Sequence, residues 1–262
     1  MIYLIFFLVS FLSSVIGSIC GVGGGVIIKP VLDAVGIISV SAVSFLSSCT
    51  VLAMSCSNLI KNKMSGSSAL KLQTTFPLAV GAAVGGILGK FLFNTLSAQF
   101  DDANRIGAIQ AAILAALCCL ILVYTLNKSR IRTLQVTNKV FCIVIGVLLG
   151  LISSFLGIGG GPVDLIVLYF FFSMSTKEAA QNSIYIIFFA QIANLCYTLI
   201  GGTVPAVSLV FLVIMICAGI FGGIFGSMIN KKIEEKTVDK LFAGLVIVII
   251  CINIYNIIKY LG

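Results

Sequence analysis

GVGGGVIIKP, Gly21 to Pro30, places four glycines in five positions inside an otherwise unbroken apolar run, then adds a lysine and a proline. Backbone that leaves helical geometry in a bilayer exposes N–H and C=O groups that hydrocarbon cannot satisfy. A break here is therefore expected to line a cavity rather than face lipid. The surrounding composition makes the bilayer the solvent. Of 262 residues, 60% are hydrophobic and only 9% charged, with a mean hydropathy of +1.22, against about 25% charged residues in soluble domains. The apolar runs are continuous and do not alternate as barrel strands do, so the fold class is an all-α polytopic membrane protein.

About ten apolar segments can be read, at 1–20, 25–37, 40–60, 73–96, 105–126, 138–156, 162–173, 178–200, 206–229 and 238–261. The N-terminal run lacks the basic region and cleavage site of a signal peptide and reads as the first spanning helix. The second and seventh segments are too short to span comfortably alone, and each starts at a glycine cluster. The net charge of +8 sits in short loops and reads as a topology signal, not as a nucleic-acid surface. The nine cysteines lie in apolar segments without a CxxC pair and read as small buried hydrophobes. Histidine is absent, which removes His-ligated haem, His-containing metal sites and His proton relays. GGILGKF, Gly85 to Phe91, fails the spacing of a nucleotide-binding loop. No enzyme activity, metal or cofactor is expected.

GVGGG at 21–25 recurs as GIGGG at 157–161, an offset of 136 residues. At the same offset Ser47 meets Ser183 and Asn58 meets Asn194, and at 137 Gly85, Gly86 and Gly89 meet Gly222, Gly223 and Gly226. An ordered series of this kind indicates duplication. Loop charge orients the copies. The 61–71 loop carries Lys61, Lys63 and Lys71, and its counterpart at 201–205 carries no basic residue. The 99–105 loop has one basic residue and its counterpart at 230–240 has four. With the basic 127–139 stretch, loops 61–71 and 230–240 are expected in the cytoplasm. Equivalent loops then face opposite sides. The expected organisation is an N-terminal repeat at 1–126, a cytoplasmic linker at 127–137 and an inverted C-terminal repeat at 138–262, each of five segments with a glycine-broken helix.

Two broken helices meeting near the midplane present free N–H groups and partial positive charge to an anion. Gly23, Gly24 and Gly25, with Gly159, Gly160 and Gly161, remove the side chains that would block such an approach. Gly81, Gly85 and Gly89, by contrast, read as close helix contact. GVGGGVIIKPVL at 21–32, GIGGGPVDLIVL at 157–168 and the polar helix after each resemble the TauE/SafE sulfite exporter family, also called the toluene sulfonate uptake permeases. The resemblance spans nearly the whole chain. It implies a multi-pass secondary transporter in the cell membrane moving sulfite, an organosulfonate or a related small anion by alternating access, with proton coupling commonly supposed. The second motif departs in placing Pro162 directly after the glycines, with Ile166 where Pro30 would map.

Lys29 and Asp164 lie about one turn beyond the two clusters, and Asp33 one turn further along the first. Three readings are open. Lys29 and Asp164 pair across the axis; Lys29 meets the anion while Asp164, with Asp33, carries a proton; or Lys29 snorkels to the headgroups and Asp164 caps its own helix. Ser47, Ser183, Asn58 and Asn194 supply either neutral hydrogen bonds to the anion or interhelical contacts. Gln181, Asn182 and Gln191 mark the second copy as the more polar. The expected partners are a small anion and the lipid bilayer, with no nucleic acid; the chain is either a monomer or a homodimer. Rival readings are a non-transporting membrane scaffold or insertion factor, and a Na⁺- or H⁺-coupled carrier of another small carboxylate.

Overall fold

The computed structural model describes residues 2–66, 69–99 and 103–261, and among them every regular element is helical. In chain order these are α1 (Ile2–Cys20), α2 (Gly25–Val35), α3 (Val40–Met64), α4 (Leu72–Gln99) and α5 (Ala103–Asn127). A 3-10 turn at Lys128–Arg130 leads to α6 (Lys139–Leu156), α7 (Pro162–Phe172), α8 (Thr176–Ile200), α9 (Leu209–Lys232) and α10 (Glu235–Leu261). Every expected segment is a helix. Asp101 and Asp102, in the 99–105 loop, lie outside the described residues.

Helix starts fall where side chains can satisfy orphan N–H groups. Ser39 accepts from Ala42 N–H (3.3 Å) before α3, and Asn138 accepts from Val140 N–H (2.9 Å) before α6. Ser175 and Glu178 form a reciprocal capping box at α8. Eight of the helices are long and apolar enough to cross a membrane. The other two, α2 and α7, have 11 residues each, about 16 Å of helix against a hydrocarbon core of roughly 30 Å. They are half-helices.

Polarity is distributed inside out. Leu120, Val123, Leu126, Leu148 and Ile258 are exposed, whereas Ser10, Ser14 and Ser18 of α1 and Ser44 and Ser47 of α3 are buried. That is the arrangement a lipid solvent favours, and the chain is a multi-pass membrane protein.

The helices of the two halves are exchanged across the molecule. α1 packs most extensively against α9 and α6 against α4, while α3 packs on α9, α8 on α4 and α5 on α10. Glycines allow the close approach. A Cβ on Gly85 would lie 2.0 Å from the Val147 carbonyl oxygen, and one on Gly222 would lie 2.7 Å from that of Phe11. Gly89 meets the Leu151 carbonyl as Gly226 meets that of Val15, and Gly86 meets that of Ala190 as Gly223 meets that of Met54. Each pair of contacts maps onto the other at the offsets read from the sequence.

Three neighbouring pairs run in parallel. Phe6 stacks on Phe211 at 4.4 Å near the start of α1 and α9, and Asn230 donates to the Ile19 carbonyl (2.5 Å) near their ends. Along α4 and α6 the contacts advance together, from Gly81 beside Ile143 to Gly89 beside Leu151. Asn256 donates to the Pro30 carbonyl (2.9 Å) and Lys259 to those of Asp33 (3.1 Å) and Ala34 (3.0 Å), so α2 ascends beside α10.

Candidate functional site

The chain reverses at each glycine cluster. After α1 it turns back so closely that a Cβ on Gly17 would lie 2.7 Å from the Gly24 nitrogen. Gly23 (φ 70°) and Gly159 (φ 71°) hold the left-handed conformation that glycine adopts without steric penalty, so the two breaks begin alike. They then diverge. Gly24 is right-handed helical (φ −64°), whereas Gly160 has φ 101° and Gly161 is extended, so α7 starts one residue later than α2 in repeat register.

The two breaks touch. The Gly159 carbonyl oxygen lies 3.4 Å from the position a Gly23 Cβ would take, and the Ile158 carbonyl oxygen 2.0 Å from that of Gly25. Val51 of α3 lies against Gly23 and Gly159, and Ile187 of α8 against Gly23 and Gly160. Val51 and Ile187 are themselves equivalent at the 136-residue offset. The crossing of the breaks is thus clamped from both sides by matched aliphatic side chains.

Electrostatically the two half-helix starts are unlike. At α7, Asp164 is buried and its Oδ2 accepts from Gly161 N–H (3.4 Å), so the helix start is capped by its own carboxyl group. At α2 there is no capping side chain, and the first intrahelical bonds run from Ile27 and Ile28 to the Gly24 carbonyl. Among the described residues nothing accepts from Gly25 N–H or Val26 N–H. Ser47 Oγ, fully buried and without a partner, sits 2.9 Å from the position a Gly25 Cβ would occupy. Free N–H groups and an unpartnered hydroxyl together can hold an oxyanion.

The structure thus gathers Gly23, Gly24, Gly25, Gly159, Gly160, Gly161 and Ser47 at one place. Ser183 lies one turn before Ile187, buried and with an unpartnered hydroxyl. Neither serine serves as interhelical glue. Asn58 and Asn194 lie two turns beyond Val51 and Ile187, away from the crossing, and both are engaged. Asn58 Oδ1 accepts from Asn62 (2.7 Å), and Asn194 donates to Ser48 Oγ (3.3 Å).

Lys29 neither pairs with Asp164 nor reaches the headgroups. It is 3% exposed and bonds Asp33 Oδ2 at 2.7 Å, because a carboxylate four residues on along the same helix is the nearest partner. Asp33 is correspondingly tied down through one oxygen, and its Oδ1 has no partner. Asn182 is structural: it accepts from Lys71 N–H (3.0 Å) and from the Thr75 hydroxyl, binding the start of α4 to α8.

Gln191, read from the sequence only as a mark of the second copy's polarity, is fully buried with both amide atoms unpartnered, and its Nε2 lies 2.8 Å from where a Gly159 Cβ would be. Two further groups were not singled out by the sequence. Ser14, beside Gly24, belongs to a stripe of serines at four-residue spacing in α1. A polar cleft between α1, α3, α8 and α9 is lined by Ser18, Asn58, Asn62, Gln181, Ser227 and Asn230. It shares Asn62 and Gln181 with a cavity of about 320 Å³ beside Lys63. A cavity of about 680 Å³ lies between the starts of α4 and α6, lined by both apolar and polar side chains, and contains none of the break residues.

A model of the family described as "Sulfite exporter TauE/SafE" matches residues 6–252. No curated protein and no solved structure matches the chain. The matched stretch takes in both glycine breaks, both half-helices and the helices that clamp them, and the chain belongs to the TauE/SafE sulfite exporter family.

Proposed function

We propose that the protein is a secondary transporter of a small sulfur-containing anion, sulfite or an organosulfonate, which binds where the two glycine breaks cross. The observation that carries this reading is the uncapped start of α2, where Gly25 and Val26 N–H groups have no acceptor among the described residues and the unpartnered Ser47 hydroxyl lies beside Gly25. Family membership supplies the substrate class. The reciprocal packing of α1 on α9 and α6 on α4 supports two inverted five-element halves that rock about the crossing, as alternating access requires. On this reading each glycine break and its half-helix together make one traverse, both termini lie outside the cytoplasm, and the Asn58–Asn62 cleft beside the basic 61–71 loop is the inward path. Asp164, the buried carboxylate at the second break, is the proton carrier. Asp33 is held by Lys29 and is the weaker candidate.

The test is flux in proteoliposomes with a panel of sulfite, sulfonates and carboxylates, varying pH and Na⁺ gradients separately. Saturable flux of sulfite or a sulfonate, driven by the pH gradient, is the expected result. Flux driven by Na⁺ and confined to carboxylates would replace the substrate and coupling assigned here. Absence of any anion flux, together with a stoichiometric partner protein, would establish the scaffold reading instead.

A further inference from the structure

The inward cleft has a pseudo-symmetric counterpart, and its chemistry is different. At the repeat offsets Ser18 and Asn58 correspond to Ser154 and Asn194, while Ser227 and Asn230 correspond to Lys90 and Phe93. The counterparts are also brought together in space. Gly86 lies beside Ser154 Oγ and the Ala190 carbonyl, and Lys90 projects from the next turn of the same face of α4. Where the inward side has Ser227 bonded to Asn62 Oδ1 (2.9 Å), the opposite side has an ammonium. Lys90 is 8% exposed, with its Nζ 5.0 Å from the Phe93 ring centroid, and it forms no ion pair with any described residue.

Ser154, whose hydroxyl lies beside Gly86, also accepts from Gly157 N–H through its carbonyl (3.1 Å), which joins this face of α4 to the second glycine break. The Lys29 Cε and Ser44 Oγ converge on Gly157, at 3.2 and 2.5 Å from the position its Cβ would take. Ser44 Oγ and Ser154 Oγ are buried and unpartnered. Asp33 neutralises Lys29, which leaves the Lys90 charge uncompensated among the described side chains. A buried ammonium without a counter-charge is costly, and an incoming anion removes that cost.

We infer that Lys90 and Lys29, with Ser44 and Ser154, form a second anion-binding subsite on the outer side of the glycine crossing, matched to a small monoanion. The inference rests on the transport reading above, which places the two clefts on opposite faces. One uncompensated positive charge is neutralised by a sulfonate or bisulfite monoanion and overcompensated by a dianion. The neutral inward cleft has no such preference, so the two faces of the transporter differ in affinity.

The test measures half-saturation for methanesulfonate at each face of oriented proteoliposomes, with sulfate as the competing dianion. Lys90→Gln should raise the outer-face value about tenfold, the loss of one charge-assisted hydrogen bond, and leave the inner-face value unchanged. Lys90→Arg should restore most of the loss. Ser227→Lys, which puts the same charge at the equivalent inward position, should lower the inner-face value. Methanesulfonate should outcompete sulfate at the outer face of the wild type. An unchanged outer-face value in Lys90→Gln, with wild-type flux intact, overturns the subsite and leaves the transport reading standing. Should Lys90→Gln fail to fold, an unaltered inner-face value in Ser227→Lys overturns it equally. Equal competition by sulfate overturns the monoanion assignment, and absence of any wild-type sulfur-anion flux overturns the transport reading itself.

Discussion

Ser47 spends no hydrogen bond on the protein, although its hydroxyl is fully buried one helix away from the start of α2. A hydrogen bond to a charged partner contributes about 1.5–3 kcal/mol. Ser47→Ala should therefore raise the half-saturating anion concentration by about tenfold or more, while thermal unfolding in detergent hardly shifts. A lowered melting temperature with unaltered saturation would show that the hydroxyl matters to packing alone. Asp164→Asn keeps an oxygen that can accept from Gly161 N–H but removes the exchangeable proton of the carboxyl. Anion counterflow should persist in this variant and accumulation driven by a pH gradient should be lost, as read by paired flux assays. Ser47 and Ser183 were legible because they recur at one offset. The Lys29–Asp33 pair was open to a different reading, a cation and an acid four residues apart on one helix. Lys90 was not: it stood in view only as part of GGILGKF, and its significance comes from Ser154 of another helix, which lies beside Gly86 one turn away on the same face of α4.

Among the elements, α2 and α7 occupy equivalent places and are stabilised differently. α7 has Pro162 at its first turn and Asp164 against its N-terminus, both favourable to a helix start. α2 has neither, and is instead secured by the internal Lys29–Asp33 pair and by Lys259, which caps its last carbonyls. Removing one member of a buried pair leaves the other charge stranded, at about 3–5 kcal/mol. Lys29→Met should lower the melting temperature markedly, and Lys29→Met combined with Asp33→Leu should recover most of it. Close helix contact is the second element-scale device. Gly85→Ala drives a methyl into the Val147 carbonyl, whereas Gly244 has open space around it. The first substitution should therefore destabilise the protein strongly and Gly244→Ala hardly at all, as a thermal-shift comparison in detergent would show. The four-residue spacing of Gly81, Gly85 and Gly89 gave away the existence of such a contact. Its partner, α6, was not legible, because nothing in a glycine stripe names the surface it lies against.

For the molecule as a whole, the continuous apolar runs were enough to anticipate ten helical segments with ends within a few residues, since hydrophobic length is a local property. The exchange of helices between halves was beyond reach of local pattern, because it depends on side-chain shapes more than a hundred residues apart. The orientation has a direct check. Protease-cleavable tags at both termini should be cut from outside intact cells, and a tag within 127–139 should be protected until the membrane is opened. Opposite results at the two termini would break the parity of five traverses per half. The exchange also bears on how the chain is made. The small-residue face of α4 waits only until α6 is synthesised, but that of α1 must wait for α9, which begins at Leu209. At ribosomal speeds of about 5–20 residues per second, that interval is roughly 10–40 s. α1 thus leaves the ribosome long before its mate, and its serine-lined face needs shelter in the insertion machinery until α9 follows.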